Sequence, residues 1–197
     1  MSTTMTTTRR ALVVLLLPLS LAALAACGND DTESATADTA PVSTETTQAP
    51  APKDVTITAV DYSFEGVPAS VATGTQLSIR NESDVELHEV LAFRVPDGDD
   101  RSLADLMALP QAELTGLLGA PRAVLAQAPG STEVIHAVGD GRLTEPGRYV
   151  LMCAIPLGAD PEEYLAAAAA SPGGPPQGVA GGPPHLVAGM VAELTVE

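Results

Sequence analysis

The fold is decided by residues 87–95, LHEVLAFRV, and by residues 148–155, RYVLMCAI. In the first stretch the odd-numbered positions would face one side of a strand and the even-numbered positions the other. The face shared in the second stretch carries Tyr149, Leu151, Cys153 and Ile155. A hydrophobic period of two residues predicts a β-strand in both places.

Other strands are predicted on either side of these two. They cover residues 55–60, continuing through Tyr62 and Phe64, and residues 76–80, 132–138 and 190–196. About seven short strands separated by turn residues, with no alternation of strand and helix, predict an all-β fold. We expect an antiparallel Greek-key β-sandwich.

Two segments interrupt the strand pattern and predict short helical insertions. Residues 102–128 carry leucines at helical spacing, broken by glycine and proline. Residues 160–170 begin with Asp160 as a candidate N-cap and Pro161 at the first helical position. We therefore expect helices at about 102–128 and 160–170.

The N-terminus predicts export and a lipid anchor. Arg9 and Arg10 precede an uncharged apolar run that ends at Cys27, which is the pattern of a secretory signal rather than a spanning helix. Residues 24–27, LAAC, resemble the bacterial lipobox, in which the cysteine becomes the lipidated first residue. An ordinary secretory signal with an accidental cysteine is the alternative, and the arginines also loosely match a twin-arginine signal. We assign residues 1–26 to a lipoprotein signal peptide.

The segment after the signal predicts a tether. Residues 28–52 have five acids, no base and no large aliphatic residue apart from Val42. Such a stretch cannot bury enough apolar surface to offset the entropy of ordering. We expect residues 27–53 to be the lipidated cysteine with a disordered acidic tether, and residues 54–197 to form one domain at the extracytoplasmic face of the bacterial cell membrane.

The net charge of the chain limits the classes of partner that we expect for it. Removing the signal takes away two arginines and no acid, so the net charge changes from −16 to −18. This charge argues against nucleic acid and favours a cationic redox protein as a partner, alongside the membrane reached through the lipid anchor. We expect a monomer.

Four side chains of the domain carry metal chemistry. Lipidation consumes the other cysteine, so Cys153 has no partner for a disulfide in an oxidising compartment. A thiolate, two imidazoles and a weak thioether are the ligands of blue copper. The domain has these types in the order His88, Cys153, His185 and Met190. Each one alone also has a structural explanation, since free cysteine and methionine pack well in cores. His136 is interpreted as structural or exposed.

The domain resembles the cupredoxins, the plastocyanin and azurin family, along nearly all of residues 55–197. The motifs that carry the resemblance are residues 61–64 (DYSF) with Pro68, 74–75 (GT) with 79–81 (IRN) and 88–90 (HEV), 146–149 (PGRY) with Cys153, and His185-x4-Met190 with 191–196 (VAELTV). The ligands that the family implies for one copper ion are, in equatorial positions, His88, Cys153 and His185 and, in the axial position, Met190.

Two features depart from the family pattern. Thirty-one residues separate Cys153 from His185, where most cupredoxins have only a few. Closing the longer loop costs roughly 2 kcal/mol, which is small against roughly 10 kcal/mol for a tight metal site, but the insertion could cover the edge of His185. Glu89 stands where many blue-copper proteins have Asn or Ser, whose side chain ties down the cysteine loop. A carboxylate could still accept that hydrogen bond.

Three functions follow from this pattern, and none of them is enzymatic. The first is outer-sphere electron transfer through a type 1 copper site. The second is copper carriage or buffering, and the third is a metal-free interaction module whose working surface is the insertion at 102–128. The chain has no nucleophile motif and no phosphate-binding glycine loop, so we expect no enzyme activity.

Overall fold

The computed structural model describes residues 53–172 and 174–197. The signal peptide, the lipidated Cys27 and the tether up to residue 52 lie outside the described residues, and the assignments made for them stay predictions. Within the part of the chain that the structure describes, no helix has both the length and the apolar character needed to cross a membrane.

The described residues form ten strands, three α-helices and one 3₁₀ helix. The strands are β1 Asp54–Val60, β2 Ser63–Glu65, β3 Ser70–Val71, β4 Thr75–Asn81, β5 His88–Arg94, β6 Ala123–Gln127, β7 Ile135–Val138, β8 Arg142–Leu143, β9 Gly147–Met152 and β10 Val191–Val196. The helices are α1 Leu103–Met107, α2 Gln111–Leu118, α3 Pro161–Ala170 and the 3₁₀ helix His185–Ala188.

The strands make two sheets that pack against each other. The smaller sheet has the order β2-β1-β4-β8 and the larger has the order β3-β10-β9-β5-β6-β7. A cluster of buried side chains from both sheets, called the main core here, fills the space between them, with Ile57 and Leu77 from the smaller sheet and Leu125, Leu151 and Leu194 from the larger. The predicted β-sandwich is confirmed.

The expected antiparallel pairing holds for most strand pairs, but each sheet also contains one parallel pair. Strand β1 runs parallel to β4, and β10 runs parallel to β3. The other strand pairs are antiparallel. A period of two residues occurs in strands of either direction, so the alternation that revealed the strands held no information about their direction.

Two local predictions also need correction. The first strand does not continue through Tyr62, because Tyr62 adopts a positive φ of 63° and the chain turns back as β2. Only the first part of the expected helical insertion at 102–128 is helical. Residues 123–127 form β6, which is buried along its whole length and pairs with β5. The helix at 160–170 is confirmed as α3, with Asp160 as its N-cap.

Strands β5 and β9 carry buried side chains on both faces, and the two faces pack in different apolar groups. On β5, Val90 and Ala92 join the main core, whereas Leu91 and Phe93 pack in a second apolar group on the outer face, called the outer cluster. The face predicted for β9 is confirmed, since Tyr149, Leu151, Cys153 and Ile155 all lie in the main core. Leu87, just before β5, also packs in the main core rather than with the odd positions of the strand.

Helices α1 and α2 cover the outer face of the larger sheet. Residues 102–119, called the sheet-face insertion here, contribute Leu106, Leu114 and Leu118 to the outer cluster. Val150 and Met152 of β9 meet them from the sheet side. The helices thus cover the outer face, while the histidine and the cysteine lie on the inner side of β5 and β9, between the sheets.

Candidate metal centre

His88 enters the space between the sheets because it is the first residue of β5. It lies on the same face as Val90 and Ala92 and is fully buried. Its place at the strand end is fixed by pairing with Gln127 of β6. The even-numbered face of the strand, which carries His88, is therefore the one that points between the sheets.

Cys153 follows β9 directly and is tied to the segment that carries the second histidine. Its side chain is fully buried. Its amide donates to the carbonyl of Met190 (3.2 Å), and its carbonyl accepts from the amide of Leu186 (2.8 Å). These two backbone bonds hold the cysteine between the start and the end of the 3₁₀ segment.

His185 and Met190 form one closed turn. The His185 amide donates to Ile155 (2.9 Å), and the Met190 amide donates back to the His185 carbonyl (3.1 Å). Gly189, with a φ of 110°, allows this reversal. Both side chains are fully buried. The spacing of four residues between them thus corresponds to a single turn that leads into β10.

The structure brings the three predicted nitrogen and sulfur ligands together. One ligand atom from each of His88, Cys153 and His185 lies within 4.8 Å of the others. The Sγ of Cys153 is 3.4 Å from Nδ1 of His185, and the centres of the two imidazole rings are 4.9 Å apart. Met190 is tied to this cluster by its backbone bonds to both Cys153 and His185. His136 is exposed on β7 and does not belong to the cluster.

The polar atoms of the cluster fit a metal ion better than they fit each other. Within residues 53–172 and 174–197, both ring nitrogens of His88 and Nε2 of His185 are buried without a hydrogen-bond partner. Such unpaired buried groups are rare and costly in proteins. Two imidazoles, a thiol and a nearby thioether form the donor set that suits copper. The residues therefore fit one copper ion.

The electrostatics of the cluster favour neutral imidazoles. Burial, and then the neighbouring His185, together lower the pKa of His88 to about 4. Burial also lowers the pKa of His185, although the Glu86 carboxylate opposes this. Burial, and then the nearby Glu89, raises the pKa of the Cys153 thiol. The histidines thus offer free lone pairs, while the cysteine must release a proton when it binds a metal.

Glu86 lies beside His185 and was not identified from the sequence. Its carboxylate accepts from the amide of Gly158 (3.2 and 3.3 Å) and from the hydroxyl of Tyr62 (3.4 Å). Its Oε2 is 3.5 Å from Nε2 of His185 without forming a hydrogen bond. The ring of Tyr62 stands edge-on to the His185 ring, with centres 5.2 Å apart. The outer side of His185 is therefore covered by Glu86 and Tyr62.

Glu89 makes the hydrogen bond to the cysteine loop that a carboxylate at its position was expected to accept. Its Oε1 accepts from the amide of Ala154 (3.1 Å), the residue after Cys153. Its Oε2 accepts from the hydroxyl of Tyr164 in α3 (3.2 Å). Burial outweighs the lowering effect of these two hydrogen bonds, and the pKa of Glu89 is raised to about 7. The carboxylate in place of Asn or Ser thus still holds the cysteine loop.

The long gap between Cys153 and His185 is closed at its base. Residues 158–181, called the site insertion here, leave and return through a short ladder. In this ladder the Leu157 amide donates to Pro183 (3.1 Å) and the Gly182 amide donates to Leu157 (2.8 Å). A Cβ at Gly181 would lie 2.5 Å from the Cβ of Pro156. Glycine is required at position 181 because two segments of the same chain pass too closely there to leave room for a side chain.

Three residues around the cluster were missed in the sequence: Glu86, Tyr62 and Tyr164. A signal was present for the first, because two glutamates flank His88 at the start of an apolar strand, and acids are seldom fully buried unless they are paired. Tyr62 lies in the motif of residues 61–64, but nothing in the sequence marks it or Tyr164 as a neighbour of the ligands, since both reach the site from segments distant in the sequence.

Comparison with known proteins finds likeness at the level of solved structures. No family model matches the chain, and no curated protein matches it. The reduced auracyanin of Roseiflexus castenholzii is 18% identical, with 75% of this chain and 98% of that chain covered at a TM-score of 0.40. Auracyanin A, a "blue" copper protein from Chloroflexus aurantiacus, is 15% identical, with 75% and 100% covered at 0.36. Auracyanin B is 16% identical, with 75% and 91% covered at 0.30.

The case for a metal comes from the side chains themselves. The sandwich places a histidine, a cysteine and a second histidine between its sheets, in the order that the sequence predicts. This two-sheet fold and the buried cluster of His88, Cys153 and His185 beside Met190 are consistent with a cupredoxin domain that fits one copper ion.

Proposed function

We propose that this chain is a membrane-anchored, extracytoplasmic electron carrier with one type 1 copper ion. Its ligands would be His88, Cys153, His185 and Met190. The observation that carries the proposal is the cluster of three fully buried ligand side chains with three ring nitrogens that have no hydrogen-bond partner among the described residues. Each neutral imidazole has one ring nitrogen with a free lone pair, so an ion in the site would take one lone pair from each histidine.

A copper ion in such a site supplies one-electron chemistry by cycling between Cu(I) and Cu(II). The role of the chain is to hold the ligands in one arrangement for both oxidation states. The backbone bonds of Cys153 to Met190 and Leu186 serve this purpose, as does the closed turn from His185 to Met190. The main core around Cys153 excludes water from the sulfur, which influences the reduction potential.

The burial of the ligands favours electron transfer over copper carriage. A carrier must pass its metal to a partner, and the partner's ligands then have to reach the ion. Here His88, Cys153 and His185 are fully buried, and the outer side of His185 is covered by Glu86 and Tyr62. Electrons can cross such a cover without the loss of a ligand, whereas an ion cannot.

The cell address of the protein is part of the proposal. The lipobox-like residues 24–27 and the acidic stretch that follows support a domain held near the membrane by lipidated Cys27. The net charge of −16 for the whole chain supports a cationic redox partner. A monomer on a tether of this kind would reach both membrane-bound and soluble partners.

The first test is the spectrum of the copper-loaded full chain in detergent. With one equivalent of Cu(II), an intense visible thiolate-to-copper band and a narrow hyperfine splitting are expected, and Cys153→Ser should abolish both. The matched controls Cys27→Ser and His136→Ala should keep them, because neither residue is a proposed ligand. Absence of the band in the unaltered chain would rule out the blue site. Rapid loss of copper to a competing chelator would favour the carrier instead.

A further inference from the structure

We propose that the site insertion positions the metal ligands through Tyr164, whose hydroxyl holds Glu89, which in turn holds the Ala154 amide beside Cys153. This inference rests on the proposed function for its copper readout, but the link between the three residues exists in the protein without metal. Tyr164 and Glu89 are positioning residues, since neither is a ligand in the proposed site.

The geometry of Glu89 carries the first step. Its side chain is almost completely buried, and its two oxygens serve two different segments of the chain. Oε1 accepts from Ala154, directly after the cysteine, and Oε2 accepts from Tyr164 in the insertion. A carboxylate held at both oxygens has a fixed orientation, because hydrogen bonds weaken steeply when they are misaligned. The orientation of Glu89 therefore depends on Tyr164.

The placement of Tyr164 carries the second step. It lies in the first turn of α3, and its amide donates to the carbonyl of Asp160 (2.9 Å). The Asp160 side chain caps the helix by accepting from the amides of Glu162 (3.0 Å) and Glu163 (2.9 Å). The tyrosine ring is buried in the main core. Both the backbone and the ring of Tyr164 are thus fixed, so its hydroxyl is a firm anchor for Glu89.

The consequence is an insertion that acts on the ligand geometry. Without the Tyr164 hydroxyl, Glu89 Oε2 would be buried and unpaired, and the carboxylate would turn to find another donor. The Ala154 amide would then lose its acceptor, and the Cys153 loop would gain freedom. Residues that orient metal ligands typically cost 10-fold to 100-fold in metal affinity when they are altered.

The test compares Tyr164→Phe with Tyr149→Phe in the full chain. Tyr149 is a matched control because its ring is also in the main core and its hydroxyl is also bonded, but to the backbone carbonyl of Glu145 (2.9 Å), two residues before β9. In the copper-free protein, Tyr164→Phe should raise the hydrogen-exchange rate of the Ala154 amide. In the loaded protein it should weaken copper affinity by about 10-fold to 100-fold. Tyr149→Phe should do neither.

A second comparison tests whether Tyr164 acts through Glu89. In a Glu89→Ala background, Tyr164→Phe should change the copper affinity no further, because the intermediate link is already gone. Equal exchange rates of the Ala154 amide in Tyr164→Phe and Tyr149→Phe would overturn the inference. If the unaltered chain bound no copper, the proposed function would fail, while the amide measurement would still decide the inference.

Discussion

The two insertions of this sandwich differ in how they are attached to it. The sheet-face insertion, residues 102–119, packs leucines against the outer face of the larger sheet. The site insertion, residues 158–181, is held by hydrogen bonds from Gly158 and Tyr164 to the buried carboxylates of Glu86 and Glu89. Among the described residues, no hydrogen bond joins the sheet-face insertion to the loops that carry the ligands.

Because of this difference, the two insertions are expected to influence different properties of the protein. Apolar contacts are non-directional and contribute in proportion to the area removed from water. Hydrogen bonds to a buried carboxylate depend on angle and therefore fix an orientation. We expect the sheet-face insertion to influence mainly the free energy of unfolding, and the site insertion to influence mainly the arrangement of the metal ligands.

The largest effect on stability is expected from Leu106→Ala in the sheet-face insertion. Leu106 is fully buried in the outer cluster, and its truncation should lower the free energy of unfolding by about 2–5 kcal/mol. Urea denaturation of the copper-free chain measures this loss. The copper affinity and the visible band of the folded variant should stay unchanged. A loss of affinity as large as that of Tyr164→Phe would break the comparison.

A smaller effect on stability, but a direct one on the site, is expected from Gly181→Ala. The added Cβ would overlap Pro156 at the base of the site insertion, at a cost of about 1–3 kcal/mol. Because His185 is positioned by the same ladder, copper affinity measured against a chelator should fall as well.

Gly116→Ala is the matched control for this substitution. Gly116 lies inside α2 of the sheet-face insertion, and a Cβ there meets no atom within 4 Å. The change should raise the free energy of unfolding by about 0.5–1 kcal/mol and leave copper affinity unchanged. Similar affinities in the Gly181→Ala and Gly116→Ala variants would show that the ladder does not position His185.

The strands could be predicted from the sequence, but their arrangement could not. Alternation identified β5 and β9 because one face of each carries a continuous apolar row. Residues 123–127 escaped detection because all five are buried, which removes the polar half of the pattern, and because Leu and Ala also suit helices. The parallel pairing of β1 with β4 depends on contacts between distant segments, which no local period reports.

The site, like the fold, could be predicted from the sequence only in part. His88, Cys153, His185 and Met190 were found because soft and imidazole ligands are few in this chain and each type has a known metal chemistry. Glu86 and Tyr164 were not found, because a carboxylate or a tyrosine has many ordinary roles. What makes them part of the site is a contact across 72 or 75 positions of sequence, from Glu86 to Gly158 and from Glu89 to Tyr164.

The smallest effects are expected from substitutions at the two helix caps, which give the most closely matched test of the two insertions. Ser102 caps α1 in the sheet-face insertion and Asp160 caps α3 in the site insertion, each through a side-chain oxygen that accepts from backbone amides. Replacement of either by Ala should cost about 1 kcal/mol of unfolding free energy.

Asp160→Ala loosens the turn that holds Tyr164, so copper affinity should also fall, by less than about tenfold. Ser102→Ala loosens the turn that places Leu106 in the outer cluster, so its copper affinity should match that of the unaltered chain. Equal affinities at equal loss of stability would mean that α3 supports the site no more than α1 does.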